Sequence, residues 1–139
     1  MRFEPKQLLV VDDDPIYAEF VCSAIDKAQL PVQTRRVTTL QDGLAYVQGT
    51  PPYADRAAHP MPEIVLLDLM LSGAEGFPIL KWLGQNGDLK NERVRVVVLT
   101  ASDNAFHLQQ ALQLGAVSYL IKSPYPSAIT NLVSSFCQA

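Results

Sequence analysis

Residues 63–71 read Glu63-Ile64-Val65-Leu66-Leu67-Asp68-Leu69-Met70-Leu71, an apolar run broken by one carboxylate. Ile64 to Leu67 follow one another without alternation, which predicts a strand covered on both faces, as in the middle of a parallel sheet. Asp68 then falls at the carboxyl end of that strand, where open α/β sheets place their chemistry. Gly73 and Gly76 allow a sharp turn into a helix that Pro78 can begin at its first position. An acid at such a turn is either a reactive group or a helix cap. The rest of the chain decides.

Upstream, Leu8-Leu9-Val10-Val11 is a second unbroken apolar run, ending in Asp12-Asp13-Asp14-Pro15. Asp14 and Pro15 read as an N-cap and first helical residue. Tyr17, Phe20, Val21, Ala24, Ile25 and Ala28 recur at helical spacing until Leu30-Pro31 ends the helix. Val32 to Val37 is a short strand of weaker pattern near a sheet edge. A helix over Leu40 to Gln48 follows, with Leu40, Leu44 and Val47 on one face and Gly49 as its stop. Gly49 to Pro62 is a long proline-rich loop without periodicity.

Downstream, a helix spans Phe77 to Gln85, with Ile79, Leu80 and Leu83 facing inward. After the polar turn Asn86 to Glu92 comes the β-branched run Val94 to Thr100. Asp103 or Asn104 caps the next helix, where Ala105, Leu108, Ala111 and Leu112 are expected to face the core and Gly115 to close it. Val117 to Ile121 forms a fifth strand ending at Lys122. Pro124 and Pro126 lead into a last helix with Ile129, Leu132, Val133 and Phe136 on one face. Strand and helix alternate five times with short connections, which predicts a parallel sheet covered by helices on both sides.

With 139 residues the chain has the length of one domain. Its 48% hydrophobic and 18% charged residues fit a compact fold. A net charge of -3 argues against a nucleic-acid surface, and the Arg35-Arg36 pair reads as a solvated strand end. No apolar run has the length of a membrane span, and the polar opening Met1 to Gln7 is no signal peptide. Cys22 and Cys137 lie far apart in helical, apolar surroundings, so free buried or half-buried thiols and a reducing cytoplasm are expected. His59 and His107 have no partner at ligand spacing.

Four strands thus end in polar groups: Asp12 and Asp13, then Asp68, Thr100 and Lys122. In a doubly wound sheet of order 2-1-3-4-5 these ends share one edge, around the switch point between strands one and three. Carboxylates converging there repel one another by roughly 4 kcal/mol per close pair near a surface. Such a site calls for a cation, and hard oxygen ligands suit Mg²⁺ better than Zn²⁺. With an ammonium and a hydroxyl beside it, the set suits a phosphoryl group, whose transfer depends mostly on positioning and charge neutralisation. Each residue singly has a plain structural account as a cap, a turn residue or a surface lysine. All of them together, at corresponding strand ends, do not.

The segments LLVVDDDP, EIVLLDLMLSGAEGF, VVVLTAS and SYLIKSP resemble the receiver domain of two-component response regulators over nearly the whole chain. The resemblance implies a single receiver domain over 1–139, with a flavodoxin-like, three-layer (βα)5 fold. It implies that a histidine kinase's phosphohistidine donates a phosphoryl group to Asp68. Asp12, Asp13, Asp68 and the backbone carbonyl of Met70 would hold Mg²⁺. Thr100 would grip a phosphoryl oxygen, Lys122 would pair with the carboxylate, and Tyr119 matches the aromatic switch that turns inward when the threonine moves. Output would pass to a downstream protein target or a phosphotransferase, with a homodimer left open. Met70 and Ser102, two residues beyond Asp68 and Thr100, are the places from which hydrolytic water would be oriented, and neither is an amide or an acid.

Three departures from the family pattern stand out. Receivers commonly have Lys-Pro with a cis bond after the fifth strand; here Ser123 follows Lys122, and the bond is expected to be trans. Ser72 stands where the loop usually has proline. The Gly49–Pro62 loop is longer than usual and resembles that of stand-alone regulators paired with phytochrome-type kinases. Two other readings compete. Asp12-x-Asp14 also resembles haloacid-dehalogenase phosphatases, but those need acids after the lysine, and no Asp or Glu follows Asp103. An interaction module working without phosphorylation would usually have lost an acid or the lysine.

Overall fold

The computed structural model describes residues 4–138; the first three residues of the polar Met1–Gln7 opening lie outside the described residues. Five parallel strands form the sheet: β1 (Lys6–Val11), β2 (Val32–Val37), β3 (Ile64–Leu67), β6 (Arg95–Thr100) and β7 (Ser118–Ile121). Their order is β2-β1-β3-β6-β7. A separate antiparallel hairpin, β4 (Met70–Leu71) with β5 (Ala74–Glu75), follows β3. With that hairpin set aside the order is the expected 2-1-3-4-5, and the chain has the flavodoxin-like fold.

Five helices cover the sheet: α1 (Pro15–Lys27), α2 (Leu40–Gln48), α3 (Phe77–Gln85), α4 (Ala105–Gln113) and α5 (Ser127–Cys137). The alternation of strand side chains divides the core in two. Leu8, Val10, Ile64, Leu66, Val97 and Leu99 pack against α1 and α5. Leu9, Val11, Val65, Leu67, Val96 and Val98 pack against α2, α3 and α4. This two-sided burial is why β1 and β3 read as unbroken apolar runs.

Several local expectations hold. Asp14 caps α1 through the N–H groups of Ile16 and Tyr17, and Gly49 ends α2 with a φ of 69°. Asn104, rather than Asp103, caps α4 by accepting from Phe106 N at 2.8 Å. Gly43 within α2 is explained by packing, because a Cβ there would meet Ile79 Cδ1 at 2.7 Å. Among the described residues the only cis bond is Pro51–Pro52, so the Lys122–Ser123 bond is trans as expected. Cys22 is buried, Cys137 is half-buried, and both are free thiols. No helix among the described residues is long and apolar enough to cross a membrane.

Two expectations are corrected. Pro78 is the second residue of α3, which Phe77 begins. On α4 only Ala111 is buried; Leu108 and Leu112 are 40% and 46% exposed, and Ala105 is exposed too. The cause is position. Helix α4 lies over β7, a four-residue edge strand, so one small residue makes the close approach and the flanking leucines overhang the sheet. Helical spacing finds the apolar face but not whether anything covers it.

Candidate functional site

The pairing of β1, β3 and β6 places their carboxyl ends side by side. Val11 is opposite Leu67, and Leu67 is opposite Val98. The next residues, Asp12 and Asp68, are bound into the edge through their backbones: Asp12 N donates to Val37 O at 3.2 Å and Asp68 N to Val11 O at 2.9 Å. Both carboxylates are 3% exposed. Gly76 stands directly against this edge, since a Cβ there would lie 2.5 Å from Asp68 O. Only glycine permits that approach.

One carboxylate oxygen each from Asp12, Asp13 and Asp68 lies within 4.8 Å of the others, and this is a group that could hold a metal ion. The all-carboxylate donor set fits a hard divalent cation. Lys122 supplies the positive charge present in the chain itself. Its Nζ is 2.8 Å from Asp68 Oδ2 and 2.9 Å from Asp12 Oδ2. It also lies 4.8 Å from the centre of the Tyr17 ring. Burial pulls the Lys122 ammonium down, but the hydrogen bonds to Asp68 and Asp12 outweigh it, and its pKa is raised. Burial pushes the Asp12 carboxyl up, more than the Asp14 N–H and Lys122 hold it down.

The remaining donors are backbone and hydroxyl groups. Met70 N donates to Asp68 Oδ1 at 2.9 Å, and Asp14 N donates to Asp12 Oδ1 at 2.9 Å. Ser72 donates to Asp13 Oδ2 both from its N–H, at 2.9 Å, and from its hydroxyl. The Ser72 hydroxyl bond is the largest cause of a lowered Asp13 pKa. Thr100, fully buried at the end of β6, accepts from Ser102 N at 3.4 Å. Tyr119 packs against the core and donates from its hydroxyl to Ser102 O at 2.8 Å.

The structure therefore brings together Asp12, Asp13, Asp68 and Lys122, with Thr100 on the neighbouring strand end. It connects Thr100 to Tyr119 through Ser102. Met70 touches the site through its N–H, and its side chain is half exposed.

Three contacts were not foreseen from sequence. The Tyr17 hydroxyl donates to Ser123 O and accepts from Ser123 N, both at 3.1 Å, which anchors the segment after Lys122. Ser102 Oγ lies 2.8 Å from His107 Nδ1, and the His107 ring meets Phe77 edge-on. Arg56, in the long loop, donates to Tyr46 O and Val47 O at the end of α2. Tyr17 falls on an apolar helical face, and only its polar tip hints at a second role. The other contacts depend on how a loop folds back on a neighbouring helix, for which apolar periodicity carries no signal.

Residues 8–134 match the family model described as the response regulator receiver domain. Response regulator Rcp1 of Synechocystis sp. is 32% identical over 119 residues, which cover 86% of this chain and 78% of Rcp1. The response regulator PleD of Caulobacter vibrioides is 31% identical over 116 residues, and there the chain spans only 22% of the relative. Among solved structures, the phosphorylated cyanobacterial phytochrome response regulator RcpA superposes with a TM-score of 0.79 at 25% identity, covering 95% of this chain and 91% of RcpA. The Mn²⁺-bound form of Rcp1 superposes with a TM-score of 0.78 at 28% identity, with coverages of 95% and 91%.

Proposed function

Because the chain belongs to the response regulator receiver domain family, we propose that Asp68 is its phosphoacceptor and that a Mg²⁺-dependent phosphoryl transfer from a histidine kinase switches it. The observation that carries this reading is the arrangement around Asp68: a buried carboxylate paired with Lys122 at 2.8 Å and grouped with Asp12 and Asp13. An Asp68 oxygen attacks phosphorus, the phosphorus–nitrogen bond of the phosphohistidine breaks, and the imidazole leaves with its electron pair. The product is an acyl phosphate on Asp68.

Asp12, Asp13, Asp68 and the Met70 carbonyl would hold Mg²⁺, which when bound supplies neutralisation of the charge shared by carboxylate and phosphoryl oxygens. Lys122 holds the Asp68 carboxylate in place before transfer and pairs with the phosphoryl group afterwards. Thr100 donates its hydroxyl proton to a phosphoryl oxygen, which can only accept, while its own oxygen accepts from Ser102 N. Movement of Thr100 then pulls on Ser102, whose carbonyl holds the Tyr119 hydroxyl. This chain of contacts supports Thr100 and Tyr119 as the switch.

The whole chain, 1–139, acts as one cytoplasmic receiver in this reading. It chemically modifies only itself. The likeness to the phytochrome response regulator RcpA supports a phytochrome-type kinase as the donor. The exposed apolar side chains Phe106, Leu108, Leu112, Val117 and Ile121 form the surface that a downstream target, a phosphotransferase or a second copy would cover. The test is incubation with acetyl phosphate and Mg²⁺, read by intact mass. Gain of one phosphoryl group that depends on Mg²⁺ is expected; an interaction module working without phosphorylation would gain none.

A further inference from the structure

The contact between Ser72 and Asp13 joins two turns that are remote in sequence. Ser72 follows β4 in the hairpin, and Gly73, with a φ of 71°, makes the turn back to β5. The hairpin register, Met70 opposite Glu75 and Leu71 opposite Ala74, fixes where the Ser72 backbone lies. Its base is tied down as well, because Gly76 N donates to Leu69 O at 2.9 Å. The same hairpin touches the site twice: Met70 N reaches Asp68 Oδ1, and Ser72 reaches Asp13 Oδ2 with two donors. A proline at 72 could make neither Ser72 bond, having no N–H and no hydroxyl.

Asp13 is the least enclosed of the three grouped acids; Asp12 and Asp68 are buried and it is not. A half-exposed aspartate samples several rotamers, and ordering it costs entropy whenever a ligand fixes it. Donors that hold one carboxylate oxygen before binding remove part of that cost.

We propose that Ser72 is a positioning residue for the divalent cation: by holding Asp13 Oδ2 it presents Oδ1 as a ready ligand and so tightens metal binding. The proposal rests on the Mg²⁺ reading above. It assigns this chain a device, built from Ser72 in the hairpin, for reaching metal saturation at lower Mg²⁺. The alternative sign is physically distinct. If the two donors instead compete with the cation for Asp13, removing them strengthens binding.

The experiment is a Mg²⁺ titration of the full chain followed by backbone amide shifts in two-dimensional NMR, on wild type, Ser72→Ala, Ser72→Pro and Ser72→Thr. Ser72 is exposed, so the alanine and threonine variants disturb no buried group, and the metal-free spectrum checks the fold. The expected result is a Kd about tenfold weaker in Ser72→Ala, weaker again in Ser72→Pro, and restored in Ser72→Thr, which keeps the hydroxyl. An unchanged or tighter Kd in Ser72→Ala overturns the proposal while leaving the metal site standing. Wild-type shifts that do not saturate with Mg²⁺ overturn the metal reading itself, and the proposal with it.

Discussion

Lys122 Nζ sits 2.8 Å from Asp68 Oδ2, and both side chains are almost out of water. The same ammonium reaches Asp12, so one positive charge serves two buried carboxylates. Its attraction offsets part of their desolvation, and without the ammonium both would be buried with no counter-charge.

Lys122→Ala should therefore lower the metal-free stability by about 3 kcal/mol, since it leaves two carboxylates buried without a counter-charge. Mg²⁺ should recover part of that loss. Urea unfolding with and without Mg²⁺ measures both. The variant should still bind Mg²⁺, but phosphorylation should no longer move the Tyr119 ring signals. A variant as stable as wild type without metal would mean that Lys122 does not neutralise the site.

Asp12 gives a pH dependence. Burial raises its pKa, so the folded chain binds that proton more readily than the unfolded chain does. Protonation of Asp12 thus favours folding as pH falls through the raised value, and at neutral pH the charged group destabilises the metal-free fold. Asp12→Asn keeps an acceptor for Lys122 and removes the charge. In metal-free buffer at neutral pH it should melt about 3 °C above wild type, and the gap should close on acidification. With millimolar Mg²⁺ the order should reverse, because wild type gains a ligand-linked rise in Tm that the variant loses. Asp13→Ala should lose that rise as well. A gap independent of both pH and Mg²⁺ would contradict this account of Asp12.

The lifetime of the acyl phosphate follows from what surrounds it. Met70 carries only a weak acceptor sulfur and can orient no water by donation. The Ser102 hydroxyl is engaged with His107 Nδ1 at 2.8 Å and accepts from Asn104 N at 3.3 Å, so it is drawn toward the start of α4. Slow self-dephosphorylation is expected. Met70→Asn combined with Ser102→Glu should speed the decay of isolated phosphoprotein about tenfold or more. A double variant that decays no faster would contradict this reading of Met70 and Ser102.

The sheet and the converging acids were legible because they depend on local sequence. Unbroken apolar runs mark the strands, and the polar residue ending each run lands on one edge by topology alone. The overhanging Leu108 and Leu112 were not legible, because burial of a helical face depends on the length of the strand beneath it. Nor was Tyr17 with Ser123, where the partner lies 106 residues away, or Ser102 with His107, where the contact depends on how the loop turns into α4. Ser72 lay between the two cases: the missing proline was visible, whereas the aspartate it holds was 59 residues away.

The most direct test of the central claim is to find which carboxylate carries the phosphoryl group. Protein phosphorylated with acetyl phosphate and Mg²⁺ is reduced with borohydride, which converts an aspartyl phosphate to homoserine, and the peptides are read by mass spectrometry. Homoserine is expected at position 68 and nowhere else, with no labelling in Asp68→Asn. Homoserine at position 12, or undiminished labelling of Asp68→Asn, would contradict it.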